Sequence, residues 1–111
     1  MTGGDDFLPR VRAAIEDGLA NGKGRELDVA DRLAMTTRTL HRKLQHENTT
    51  FRKLRDEVQI SKAKSLLLQK SLPIAEISFL LGYAEVSAFY RAFKRWTGTV
   101  PRVWQEQNCL Q

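Results

Sequence analysis

Seven side chains, in two groups, have the types and spacing to make directional contacts with a partner, six through hydrogen-bonding groups and Val86 through its methyls. Arg38, His41 and Arg42 fall within one helical turn of each other and share a face. Val86, Ser87, Tyr90 and Arg91 repeat the arrangement near the other end of the chain. A guanidinium is a planar fork of N–H donors that matches the paired acceptors of guanine O6 and N7, a contact worth about 1–3 kcal/mol of discrimination. Arg42 sits centrally, where a helix laid in a groove reaches deepest. Val86 offers methyls suited to thymine, while Ser87 and Tyr90 offer hydroxyls for a base or the backbone. Around these stand Thr36, Thr37, Lys43, Arg52, Lys53, Lys94 and Arg95. Their hydroxyls and cations suit phosphate oxygens, which position a duplex without reading its sequence. Glu85 is two-sided: its carboxylate suits a helix N-terminus but repels phosphate unless it accepts from a cytosine amine.

Other chemistries find little support. No Ser/His/Asp or Cys/His set, carboxylate pair, HExxH or phosphate-cradling glycine loop is present, so neither a catalytic residue nor a cofactor is expected. His41 and His46 have no ligand cluster around them, and no metal site is expected. The single Cys109 excludes an internal disulfide framework and reads as an exposed terminal thiol. No apolar run approaches the roughly 20 residues that span a bilayer, so no membrane partner is expected. The net charge of +5 is unevenly placed. Residues 1–31 hold four Lys/Arg against seven Asp/Glu, and residues 32–111 hold fourteen against six. A basic segment of that strength favours a polyanionic partner.

The elements that must hold these residues read as helices. Residues 1–5 read as a disordered polar lead, an expression remnant ahead of the fold. Asp6 can cap a first helix in which Leu8, Val11, Ile15 and Leu19 form an apolar stripe, stopped at Asn21-Gly22. After a loop to Leu27, Asp28 can cap a short helix, residues 29–33, with Val29, Ala30 and Leu33 inward. Ala34-Met35 then makes a turn, and Thr36 can cap a helix from Thr37 to about Gln45 that buries Leu40 and Leu44. That is a helix-turn-helix pattern.

A second copy follows. Pro73 opens a short helix, Gly82-Tyr83 makes the turn, and a longer helix stacks Phe89, Phe93 and Trp96 along one side. Thr97-Gly98 closes it, and a terminal segment with Val103 and Trp104 packs back, Trp104 in the core. Between the copies, Asn48-Thr49-Thr50 leads into a connector over residues 51–70, with Phe51, Leu54, Val58, Leu66 and Leu67 at helical spacing. About 20 residues span roughly 30 Å, close to the roughly 34–36 Å between successive major-groove faces. The expected organisation is a first helix-turn-helix subdomain at 6–47, a connector helix at 48–71 and a second subdomain at 72–111.

These stretches resemble the DNA-binding domain of the AraC/XylS family of bacterial transcription regulators over about Leu27 to Gln105. The resemblance is carried by VADRLAMTTRTLHRKLQ, by FRKLRDEVQISKAKSLLLQ and most specifically by LPIAEISFLLGYAEVSAFYRAFKRWTGTVP. It implies an all-α fold of seven helices, with two homeodomain-like helix-turn-helix subdomains joined by a long connector helix. It implies binding of double-stranded promoter DNA by two recognition helices in adjacent major-groove segments. The implied setting is the bacterial cytoplasm, in association with the nucleoid, with RNA polymerase as a further partner and activation as the usual outcome. Family members often carry an effector-binding or dimerising domain, so the chain reads as the excised DNA-binding part of a longer regulator. A small stand-alone regulator, or a helical protein-interaction module with a basic face, are the alternatives.

Five positions depart from the family pattern: Ala34 for a turn glycine, Ser78 for alanine, Ala84 for a small polar residue, and Trp104-Gln105 for a Tyr-Arg close. Ala84 removes a side-chain cap before the last recognition helix. Because that helix is also poorer in base-specific donors, the first unit is expected to carry more of the discrimination and the second more of the anchoring.

Overall fold

Apolar residues three and four apart close into seven helices in the computed structural model, which describes residues 6–109. They are α1 (Phe7–Leu19), α2 (Glu26–Arg32), α3 (Thr37–His46), α4 (Phe51–Gln69), α5 (Ile74–Leu80), α6 (Val86–Thr97) and α7 (Pro101–Asn108). The architecture is all-α, with two helix-turn-helix pairs, α2–α3 and α5–α6. The polar lead at residues 1–5 lies outside the described residues. The chain divides into two compact units at Val58/Gln59, inside α4.

In the first unit Phe7, Val11, Ala14, Ile15 and Leu19 of α1 are buried together with Val29, Ala30, Leu40, Leu44, Phe51, Leu54 and Val58. Leu8, expected in the stripe, is half-buried and Phe7 takes its place, one position earlier. Asp6 occupies the cap position of α1 but makes no side-chain hydrogen bond there. Gly18 permits the turn that follows: Lys23 N–H donates to its carbonyl at 2.7 Å. A Cβ at Gly18 would stand 2.1 Å from the Lys23 carbonyl oxygen.

The start of α2 corrects the expectation. The helix begins at Glu26, one turn early, with Arg25 rather than Asp28 at its cap. Asp28 lies in the first turn and accepts from Arg25 Nε at 3.0 Å. That hydrogen bond holds the Asp28 carboxyl below its ordinary value and the Arg25 guanidinium above its own. Leu27 is an exposed helical residue, which explains why no apolar stripe marked this turn.

Both helix-turn-helix turns use the same backbone device. Ala34 has φ +59° and Gly82 has φ +95°. The following amide then reaches back to the first helix, Met35 N–H to Ala30 O at 2.9 Å and Tyr83 N–H to Ser78 O at 3.1 Å. This six-residue closure satisfies carbonyls that the helix end leaves open. Glycine adopts the left-handed geometry freely, whereas an L-residue with a Cβ pays about 1–2 kcal/mol. Ala34→Gly should therefore stabilise the first unit by about 0.5–1 kcal/mol after glycine's larger unfolded-state entropy is set against the relieved strain. An upward shift in the urea midpoint checks this; a downward one would show that the turn carries no strain.

In the second unit Ile77, Leu81, Phe89, Ala92, Phe93 and Pro101 pack with Ala63 and Leu67 of α4. Phe93 is the hub, with ring centroids 5.7 Å from Phe89, 6.4 Å from Trp96 and 5.9 Å from Trp104. Trp104, expected in the core, is only half-buried, as is Trp96. The Lys64 ammonium lies 5.8 Å from the Trp104 ring, a cation–π contact that suits a ring with one face open. Buried Ser78 satisfies its hydroxyl by donating to Ala75 O at 2.9 Å. Buried Gln59 donates to Leu81 O at 3.0 Å.

The C-terminal segment does more than cover the core. Gln105 Nε2 donates to Leu67 O at 2.8 Å, and the Cys109 thiol lies 3.9 Å from the same oxygen. The Leu67 carbonyl, which also accepts from the Lys70 amide at 3.2 Å, thereby ties the C-terminal segment to the end of α4. Cys109 is therefore a tethered, half-buried thiol rather than a free terminal one. Pro73, expected inside α5, is its cap residue with an extended backbone.

Candidate nucleic-acid interface

α3 starts cleanly because Thr36 Oγ1 accepts from the Thr39 amide at 3.1 Å. The same hydroxyl donates to Thr39 Oγ1 at 3.1 Å, so its one proton is already used inside the helix. Leu40 and Leu44 are fully buried, which turns Arg38, His41, Arg42 and Gln45 to the outside. Thr37 is half-buried at the first position of the helix.

Three arginines of the first unit are held by carboxylates. Arg12 pairs with Glu57 at 2.8 Å, Arg32 with Asp17 at 2.7 Å, and Arg25 with Asp28. Arg38 and Arg42 have no ion-pair or hydrogen-bond partner among the described residues. Two exposed guanidiniums one turn apart, on a helix anchored by two leucines, can meet acceptors in a groove together. His41 differs, because its Nε2 contacts the Glu26 carboxylate of α2. The ammonium of Lys43, expected on phosphate, lies 5.6 Å from the Phe7 ring.

Thr50 caps α4 by accepting from the Lys53 amide at 3.2 Å. That fixes the first turn of α4, from which Arg52 and Lys53 project into solvent. Glu26, His41, Thr50, Phe51, Arg52 and Arg55 line a cleft of about 350 Å³ beside α3.

α6 buries Phe89, Ala92 and Phe93 and exposes Ser87, Arg91, Lys94 and Arg95. Its cap residue Glu85 makes no side-chain cap, and its Oε1 instead accepts from Ser87 Oγ at 3.4 Å. Val86 is half-buried, and so is Tyr90, whose ring meets Phe89 edge-on at 6.3 Å. Arg91, Lys94 and Arg95 have no ion-pair partner among the described residues. Gly98, at φ +86°, ends the helix by donating to Lys94 O at 2.8 Å. This stop keeps Lys94 and Arg95 in the last turn, where cations complement the helix dipole. Tyr90 also lines a cleft of about 310 Å³ with Lys70 and Arg102.

The arrangement thus presents, on each unit, a helix with one face anchored in apolar core and cations free on the other. Among the described residues there is no His/Cys/Asp/Glu group able to hold a metal ion. No helix among them is long and apolar enough to cross a membrane. Sequence reasoning missed Glu26 and the Lys43–Phe7 contact, since neither pair has a periodic or motif signal.

Comparison with known proteins points the same way. Residues 29–107 match a family model described as a helix-turn-helix domain. An uncharacterized HTH-type transcriptional regulator of Mycobacterium tuberculosis is 47% identical over 81 residues, covering 73% of this chain and 24% of the relative. The ornithine utilization regulator of Pseudomonas aeruginosa is 38% identical over 104 residues, covering 92% of this chain and 30% of the relative. The chain thus spans about a quarter to a third of these relatives' lengths. A crystal structure of a DNA-binding transcriptional dual regulator from Escherichia coli K-12 superposes with a TM-score of 0.85. It has 26% sequence identity and covers 95% of this chain and 94% of that one.

Proposed function

Because this chain belongs to the AraC-type helix-turn-helix family, whose members regulate transcription by binding DNA, we propose that α3 and α6 are its two recognition helices. Each lies in a major-groove segment of double-stranded promoter DNA. Arg38, His41 and Arg42 read base edges from α3, and Val86, Ser87, Tyr90 and Arg91 do so from α6. Thr37, Arg52, Lys53, Lys94 and Arg95 hold phosphates; Thr36 and Lys43 do so after giving up internal contacts. The observation that carries this reading is that Arg38 and Arg42, both exposed and unpaired, stand together on one face of a helix whose other face is anchored by buried Leu40 and Leu44.

The two units contribute unequally. α3 presents two unpaired guanidiniums, whereas in the base-reading half of α6 Arg91 is the exposed cation. Discrimination therefore rests more on the first unit. Activation of transcription, through contact with RNA polymerase, is the outcome we assign to binding, in the cytoplasm on nucleoid DNA.

Competition binding tests the function. A labelled promoter duplex should resist displacement by random duplex far better than by its own sequence, and affinity should fall steeply with salt. Lys94→Ala should weaken specific and random duplexes alike and reduce the salt slope by about one, the signature of a phosphate contact. Equal displacement by random duplex and by other polyanions would favour the protein-interaction module instead.

A further inference from the structure

Glu26 has no part in the reading above, yet its geometry gives it one. It stands in the first turn of α2, and its carboxylate contacts His41 Nε2 on α3. Its Oε2 is shut off from solvent. An oxygen in that position needs a donor to offset its lost hydration. That oxygen has no hydrogen bond among the described residues, and His41 Nε2 is the nitrogen in contact with it, placed so that an N–H there would supply one. The His41 side chain keeps 64% of its surface exposed, against 31% for Glu26. The pair is closed at the carboxylate end and open on the far side of the ring.

We propose that Glu26 is a positioning residue for base reading, holding His41 by Nε2 so that Nδ1 is the atom offered to the groove. The proposal rests on the assignment of His41 to a base edge. With Nε2–H committed to the carboxylate, a neutral ring presents Nδ1 as an acceptor for an adenine N6 or cytosine N4 amine. A protonated ring presents Nδ1–H as a donor, which matches guanine N7 or O6. In either state Nδ1 is the nitrogen that meets the base. Without the carboxylate the exposed ring turns, both nitrogens compete for the groove, and discrimination at that base falls. Arg52 and Arg55 of α4 face the pair across the cleft. The Arg55 Nε is buried with no hydrogen-bond partner among the described residues, which makes it the rival for the carboxylate.

Selection of bound duplexes from a random pool tests this, using the full chain and its variants after a thermal melt confirms folding. His41→Ala should lower preference at one base position by about fivefold, the lower end of a base contact. Glu26→Ala should lower it at that same position by a similar factor and leave random-duplex affinity nearly unchanged. Glu26→Gln, whose amide oxygen still accepts from Nε2–H, should retain most of the preference. Adding Glu26→Ala in a His41→Ala background should change nothing further. If Glu26→Ala spares that position, weakens all duplexes alike, or adds a loss in the His41→Ala background, Glu26 does not act through His41. Base reading by His41 would then still stand. If His41→Ala itself moves no position, the base-reading assignment of His41 fails and the role of Glu26 fails with it.

Discussion

Replacing Arg42 by Ala should cost about 1–3 kcal/mol of affinity for the preferred duplex and relax the preference at one base position. Leu40 and Leu44 bracket Arg42 on α3 and are fully buried, so the guanidinium has one direction to go. No carboxylate among the described residues holds it back, in contrast to Arg12, Arg25 and Arg32. Removing a free surface cation costs the fold almost nothing, because even a paired surface charge contributes only about 0–1 kcal/mol. The loss should therefore appear in binding and not in the melting curve. Titration of wild type and variant against the preferred duplex and single-base variants of it separates the two roles. A loss confined to one position marks direct reading, and a uniform loss marks a phosphate contact.

The largest effect expected on stability is from Phe93→Ala, about 3–5 kcal/mol, the range for removing a fully buried phenyl ring. Phe93 is without solvent contact and touches the rings of Phe89, Trp96 and Trp104. Against the roughly 5–15 kcal/mol that holds a whole domain together, such a loss leaves the second unit near its unfolding point at ambient temperature. Both tryptophans of the chain lie in this unit, so their emission reports on it directly. The expected result is a red-shifted spectrum and a large drop in the denaturant midpoint. A change under about 1 kcal/mol, typical of a surface substitution, would remove Phe93 from the core.

Much of this was legible in the sequence because it depends on spacing. The 89–93 pair, the 40–44 pair and the 51–54–58 series each put apolar side chains on one helical face, and all are buried. Gly82 marked its turn because glycine adopts positive φ freely, and Ala34, at the equivalent place, adopts φ +59° under strain. Boundaries were less legible where side chains compete. Asp28 looked like a cap, but Arg25 lies within reach of its carboxylate and the backbone carries the helix back to Glu26. Trp104 looked like core, but the Lys64 ammonium lies close enough to hold a half-open ring. The Glu26–His41 pair spans two helices and has no periodic signature, so nothing short of the fold could show it.

The central claim is that two helices of one chain read two segments of duplex DNA. Selection of bound duplexes from a random pool tests it most directly, run on wild type, Arg42→Ala and Arg91→Ala. The account predicts two separated blocks of enriched sequence, the stronger one weakened by Arg42→Ala and the other by Arg91→Ala. A pool that stays random after selection, or a single block indifferent to both substitutions, would contradict it.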